Sequence, residues 1–269
     1  MIKLNGVSIS PTLFPDRTSQ VWQIEKGLLT HTREPDKLAK IEWDFTQEGE
    51  FMQLAQLMDL IRPYFGRFHL YMPFLPYARQ DKPISNNETF ALCTFATLLN
   101  SLKFDKVEAM DIHNFDRASE YIDNLEDIFP KGQIEQAFLK SDSTLICYPD
   151  DGARVRYANK FPYRYSILGH KVRDSKTGYI TDYQIEVPEG VQIKGANILI
   201  IDDICDGGMT FKILAEQLRS REARRITLYT THGIYSKGLK TLVNSGITQF
   251  FTFRGEAHEL HDGSIAYQR

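Results

Sequence analysis

Residues 198–210 join the chain's clearest chemistry to its clearest local pattern. The apolar run Ile198-Leu199-Ile200-Ile201 ends in Asp202-Asp203, and Ile204-Cys205-Asp206-Gly207-Gly208-Met209-Thr210 follows. The run reads as a buried strand, and an amphipathic helix is expected from about Thr210. Carboxylates at a strand end can hold ribose hydroxyls. A glycine turn opening a helix offers backbone N–H groups and the positive end of the helix dipole to a phosphate.

Three other strand ends carry related chemistry. Leu75-Pro76-Tyr77-Ala78-Arg79-Gln80-Asp81-Lys82 offers a cation, an amide and a carboxylate, suited to a polyphosphate and a base edge; its ordinary alternative is a solvated loop with an internal Arg–Asp pair. Met110-Asp111-Ile112-His113 sets a histidine beside a carboxylate, able to meet a metal or a phosphate, although a lone histidine is more often structural. Tyr148-Pro149-Asp150-Asp151-Gly152 suits Mg²⁺, which takes few protein oxygens and the rest from water and substrate; a plain Asp N-cap would look the same. Further on, His170-Lys171-Val172-Arg173 precedes the polar stretch Asp174-Ser175-Lys176-Thr177-Gly178. Residues two apart in an extended chain face one side, so Lys171 and Arg173 can both reach a transferring phosphoryl group. Together these clusters favour an enzyme handling a nucleotide and a sugar phosphate.

Positioning them requires alternating strands and helices. Strands are expected at residues 68–74, 106–112, 143–148, 164–169, 180–186, 197–202, 225–230 and 249–253. Helices are expected at 48–62, 88–102, 152–161, 210–220 and 236–244. This alternation predicts an α/β protein with mainly parallel sheets covered on both faces by helices. The domain boundary is expected within the Pro- and charge-containing stretch 124–132, giving domains 1–128 and 129–269, with the final strand returning toward the first half.

The chain has 269 residues, 42% hydrophobic and 25% charged, with a net charge of -3. That length accommodates two α/β domains, and the charge argues against a dedicated nucleic-acid binder. No apolar run approaches the roughly 18–20 residues that span a bilayer, and the N-terminus lacks a signal-peptide pattern. Cys93, Cys147 and Cys205 are widely spaced in apolar settings, as expected of reduced thiols in a cytoplasmic protein.

These motifs resemble, in order, those of the ribose-phosphate pyrophosphokinases. Residues 77–82 are similar to the family's ATP-binding segment YARQD(R/K), and Asp111-Ile112-His113 to its DLH, whose histidine contacts Mg²⁺ and ATP phosphate. Pro149-Asp150-Asp151-Gly152 resembles its PDxGG loop for metal and pyrophosphate. Lys171 and Arg173 fall on the KxR of its catalytic loop, Asp202 to Thr210 on its ribose 5-phosphate signature DDxxDTGGT, and Thr231-His232-Gly233 on its THG. The resemblance covers residues 14–253. It implies two similar domains of type I phosphoribosyltransferase kind and a homo-oligomer, dimer or hexamer. It implies transfer of the β,γ-diphosphoryl group of ATP, with Mg²⁺, to the anomeric hydroxyl of a ribose phosphate. Lys171 and Arg173 would be catalytic, His113 and Asp150 metal ligands, and Asp202 and Asp203 would hold the ribose hydroxyls.

The chain departs from the family pattern in three places. Phe14-Pro15-Asp16 resembles the adenine-binding F-x-D-G-E, yet Arg17 and Thr18 replace its Gly and Glu, and the lead-in is short. Residues 83–89 differ from the usual REPI stretch. In the phosphate loop, Thr-Gly-Gly-Thr has become Gly207-Gly208-Met209-Thr210, which removes a hydroxyl donor and adds a thioether. Losing one donor to a charged group costs about 1.5–3 kcal/mol, so this loop fits a 5-substituted ribose phosphate such as ADP-ribose at least as well as ribose 5-phosphate. Starts of FPD-x-TSQ type and loops of DDICDGG type resemble a divergent, often phage-borne branch linked to NAD salvage. A non-catalytic regulatory homologue would be expected to lack Lys171, Arg173, His113 or Asp150, and all four are present. A phosphoribosyltransferase would leave Arg79-Gln80-Asp81 without a use.

Overall fold

The computed structural model describes residues 1–22, 24, 29, 34–83, 85, 87–162, 164–173 and 180–268, with the side chains of 172, 173, 180 and 181 outside that set. The chain divides into two compact units, Met1–Phe129 and Pro130–Arg269.

The first unit runs β1 (Ile2–Leu4), β2 (Val7–Ile9), β3 (Thr12–Leu13), β4 (Ser19–Gln20), β5 (Glu34–Trp43), α1 (Glu50–Ile61), β6 (Phe65–Met72), α2 (Ala91–Ser101), β7 (Lys106–Met110), α3 (Phe115–Ser119) and β8 (Leu125–Ile128). Among the described residues its main sheet has the order β2-β1-β5-β6-β7-β8. β5 through β8 are mutually parallel, and β1 and β2 add an antiparallel edge. Leu54, Leu57, Met58 and Ile61 of α1 and Leu92, Phe95, Ala96 and Leu99 of α2 recur at helical spacing and are buried in this unit's core. Each fully buried Leu or Ile contributes about 1.5–3 kcal/mol.

The second unit runs α4 (Lys131–Lys140), β9 (Leu145–Tyr148), α5 (Asp151–Tyr157), β10 (Ser166–Arg173), β11 (Ile180–Glu186), β12 (Asn197–Cys205), α6 (Met209–Ser220), β13 (Arg225–Gly233), α7 (Lys240–Ser245), β14 (Ile247–Thr252), β15 (Gly255–Glu259) and β16 (Ile265–Gln268). Its sheet has the order β11-β10-β9-β12-β13-β14-β15-β16. The central strands β10, β9, β12, β13 and β14 are parallel, and β11, β15 and β16 pair antiparallel at the edges. Ile198, Leu199, Ile200 and Ile201 are fully buried, as a parallel strand covered on both faces requires. The architecture is α/β with mainly parallel sheets.

Several elements differ from the sequence expectation. β16 pairs antiparallel with β15 at the edge of the second unit's sheet. β10 continues through His170 to Arg173, because β11 comes back alongside it and pairs Lys171 with Tyr183. β12 likewise runs past Asp202 and Asp203 to Cys205, held by β13 through Asp202↔Thr230 and Ile204↔His232. β7 stops at Met110, where Asp111 turns to φ 48°. The helix expected at 236–244 is the shorter α7. Among the described residues, no helix is long and apolar enough to cross a membrane.

Candidate active site

In the second unit, three strand ends bring cations and carboxylates together. β9 delivers Asp150 to the start of α5, where Asp150 Oδ1 accepts a 2.9 Å hydrogen bond from the Ala153 N–H. The other oxygen, Oδ2, accepts from Lys171 Nζ on β10. The N-cap and the chemical reading of Asp150 therefore coexist, one on each oxygen. Burial opposes ionisation of Asp150. The Lys171 and Ala153 hydrogen bonds and the Lys171 charge outweigh it, so the carboxyl sits below its ordinary range.

Asp203, on β12, is buried and pairs with Arg156 of α5 at 3.0 Å. Asp202 accepts the Asp203 N–H at 3.0 Å. Burial, then the neighbouring Asp203 and Asp150 charges, hold the Asp202 carboxyl well above the usual carboxylate range. Asp151 is exposed and meets Arg154 at 3.3 Å and His170 at 3.5 Å. The His170 ring also contacts Glu186 at 2.9 Å, and that bond raises its pKa.

The loop after β12 enters α6 through Gly208 at φ 74°, a left-handed conformation natural to glycine, with Leu242 packed where a side chain would begin. The N-cap of α6 is Gly208, which has no side chain to cap the first turn. Met209 is 52% exposed. Ser236 Oγ donates to Asp206 Oδ1 at 2.5 Å, and the Ile234 and Tyr235 N–H groups donate to the Cys205 carbonyl, bracing the loop from the β13 side. Asp206, Gly207 and Thr210 are partly accessible in the same loop.

Sequence reasoning did not single out Arg156, Ser236 or Tyr183. Arg156 could have been sought as a basic residue one turn beyond Asp151-Gly152. Tyr183 carries no sequence signal. Its buried hydroxyl donates to the Pro149 carbonyl at 2.8 Å, tying β11 to the turn that carries Asp150. Gly169 makes room for it, since a Cβ there would run into the Tyr183 ring and the Pro149 carbonyl. Tyr183→Phe is expected to cost about 1–3 kcal/mol by stranding that carbonyl, read as a lower urea midpoint; an unchanged midpoint would remove the bracing role.

The first unit gathers the other motifs. Tyr77 sits at φ 63°, and its hydroxyl donates to Glu48 at 2.7 Å. Arg79 and Gln80 are exposed beyond it. Asp81 joins the two nucleotide motifs: its carboxylate accepts from Asn114 Nδ2 at 2.7 Å, and its carbonyl accepts from Arg117 Nε at 3.3 Å. The turn holding these partners follows the exposed His113 and the buried Asp111. Phe14 and Asp16 lie in the β3–β4 turn, where Asp16 Oδ1 accepts from the Thr18 N–H at 3.0 Å and hydroxyl at 2.8 Å. Those bonds lower the Asp16 pKa. Arg17 takes φ 69° where the resemblance would place glycine, at some backbone cost. The Arg173 side chain and residues 174–179 lie outside the described set.

Asp150 and Asp203 each carry a cationic partner, Lys171 and Arg156, and their charges act on Asp202. Among the described residues, no group of three or more His, Cys, Asp or Glu side chains is arranged to hold a metal unaided. Carboxylate oxygens are the donors Mg²⁺ takes, and it draws the rest of its coordination from phosphates and water.

No family model matches the chain. Its sequence is 28% identical over 229 residues to a ribose-phosphate pyrophosphokinase of Pyrococcus furiosus, covering 84% of this chain and 77% of that one. It is 26% identical over 252 residues to the Pyrococcus abyssi enzyme of the same name, covering 91% and 83%. The chain is similar in sequence to the ribose-phosphate pyrophosphokinases over most of its length. This is a family of diphosphotransferases. The fold is similar to that of a phosphoribosylpyrophosphate synthetase from Mycobacterium smegmatis, with TM-score 0.72 at 21% identity, over 91% of this chain and 79% of that one.

Proposed function

We propose that the protein transfers the β,γ-diphosphoryl group of ATP to the anomeric hydroxyl of a ribose 5-phosphate moiety, releasing AMP, and that its acceptor is ADP-ribose. Similarity to pyrophosphokinases supports the reaction type. The phosphate loop carries the choice of acceptor: Gly207 brings no hydroxyl, and the half-exposed Met209 leaves the loop open on one side. A product of this kind, ADP-ribose 1-pyrophosphate, would accept nicotinamide in a later step of NAD salvage.

In this reading the first unit holds ATP through Arg79, Gln80, Asp81 and His113, with Phe14 and Asp16 toward the adenine. The second unit holds the acceptor, with Asp202 and Asp203 on the 2- and 3-hydroxyls and the loop 206–210 on the 5-phosphate. Asp150, Asp151 and Gly152 face the diphosphate. Bound Mg²⁺, held by Asp150 together with phosphate oxygens, would withdraw charge from the phosphates, and His113 would meet the ATP phosphates in the first unit. Lys171 exchanges its Asp150 partner for phosphoryl oxygen and, with Arg173, stabilises charge as the O1–Pβ bond forms and the bond from Pβ to the α,β-bridging oxygen breaks. The hydroxyl proton is lost to solvent. The protein acts as a homo-oligomer.

The relatives' name favours the second reading, in which ribose 5-phosphate is the acceptor. ³¹P NMR of reactions containing ATP and either acceptor separates the two. The expected result is a new diphosphate on C1 and stoichiometric AMP with ADP-ribose. A strong preference for ribose 5-phosphate would overturn the acceptor choice, and AMP release independent of any ribose would overturn the reaction.

A further inference from the structure

Gly207 faces a side chain that belongs to another element. A Cβ built on Gly207 would lie 3.6 Å from Lys237 Cε, 3.7 Å from Cδ and 3.9 Å from Nζ. Lys237 thus lays its stem across the phosphate loop at the place where the loop has lost its hydroxyl. Its exposed ammonium has no hydrogen-bond or ion-pair partner among the described residues. The nearby Asp206 carboxylate is already engaged by Ser236.

We infer that Lys237 reads a second phosphate on the acceptor's 5-position, making the diphosphate of the acceptor the feature this loop selects. The inference rests on the diphosphotransferase reading and its acceptor loop. A single 5-phosphate can be held by backbone N–H groups at the start of α6, whose N-cap is Gly208. A further phosphate must continue past that nest. On the Gly207 side it meets a cation already in place. A threonine at 207 would set its own Cβ in van der Waals contact with the Lys237 stem and its branches closer still, pushing the ammonium aside. Glycine at 207 and lysine at 237 therefore act as one device: one clears the space and the other fills it with charge.

Isothermal titration of ADP-ribose and of ribose 5-phosphate into the full-length wild type, Lys237→Met and Gly207→Thr tests the inference without requiring turnover. Lys237→Met keeps most of the stem, and at an exposed position it is expected to leave the melting temperature unchanged. It should weaken ADP-ribose binding about tenfold at low salt and change ribose 5-phosphate binding less than twofold. Raising the ionic strength to 0.5 M should shrink the difference. Gly207→Thr should shift the preference toward ribose 5-phosphate. Equal weakening of both ligands, no weakening of either, or no binding of ADP-ribose to the wild type would each overturn the role of Lys237. Failure of the wild type to release AMP with either acceptor would instead overturn the catalytic reading, leaving the titrations to decide Lys237 alone.

Discussion

Lys171→Ala is expected to cut acceptor-dependent AMP release by about 10²- to 10³-fold, the usual cost of removing a donor aimed at transition-state charge. The position of Lys171 supports this magnitude. It lies on a regular strand, paired across to the well-buried Tyr183, and its ammonium rests on Asp150 at the turn proposed to face the diphosphate. A cation carried on a strand is held near the site, and it meets the arriving phosphate by exchanging Asp150 for phosphoryl oxygen.

The same substitution should also change the acid side of the pH profile, and the sign can be worked out. In the wild type, hydrogen bonds and the Lys171 charge hold Asp150 below its ordinary range despite burial. The stability this provides is present above the unfolded carboxyl pKa of about 4 and is lost as pH falls through the lower folded value. Without Lys171, burial and the Asp203 charge prevail and the Asp150 pKa rises. The acid limb of residual activity should therefore move to higher pH, and Lys171→Arg should restore much of both effects. Rates at several pH values with ADP-ribose and ATP measure this directly. A variant that keeps more than a tenth of wild-type turnover would remove Lys171 from the catalytic step.

The pair also shows how far the sequence could be read. The spacing of Lys171 and Arg173 predicted two cations on one side of an extended segment, and β10 is extended through both. The strand at 180–186 was legible as well, and what spacing could not supply was its antiparallel pairing with β10, which sets Lys171 against Tyr183. Similarly, 197–202 announced a strand, but its continuation through Asp203 to Cys205 depends on pairing with β13, a long-range fact.

The least legible part of the fold was the N-terminal edge. β5 is charge-rich at its start, with Glu34, Pro35, Asp36 and Lys37 ahead of the buried Ala39, Ile41 and Trp43, so its alternation is visible only over its last five residues. Motif contacts were legible in part. The clusters at 79–81 and 111–113 each stood out, but their junction through Asn114 and Arg117 is tertiary. Lys237 was invisible, because its meaning comes from the missing side chain of Gly207.

Asp202→Asn should raise stability while weakening function. The wild-type carboxyl, half-buried and desolvated beside Asp203 and Asp150, has a raised pKa, so the folded state binds its proton more tightly than the unfolded chain does. Stability from that group is complete below the unfolded value of about 4 and is lost as pH rises through the folded value, so at neutral pH the charge is a cost. Asparagine keeps the acceptor oxygen for the Asp203 N–H and removes the charge. The variant should match the wild type near pH 4 and melt a few degrees higher at pH 8, corresponding to about 1–2 kcal/mol in the second unit. Catalysis should move in the opposite direction. A hydrogen bond from a ribose hydroxyl to a carboxylate contributes about 1–1.5 kcal/mol more than one to a neutral amide, so KM for the acceptor should rise about 5- to 10-fold with KM for ATP little changed. Differential scanning calorimetry at both pH values and steady-state kinetics with each substrate varied separate the two effects. Equal or lower melting at pH 8 would show that the three carboxylates are already compensated in the folded protein. An unchanged acceptor KM would show that Asp202 does not touch the sugar. Observing both predicted changes would identify Asp202 as a charge held at a cost to the fold for the sake of binding, a common pattern at functional sites.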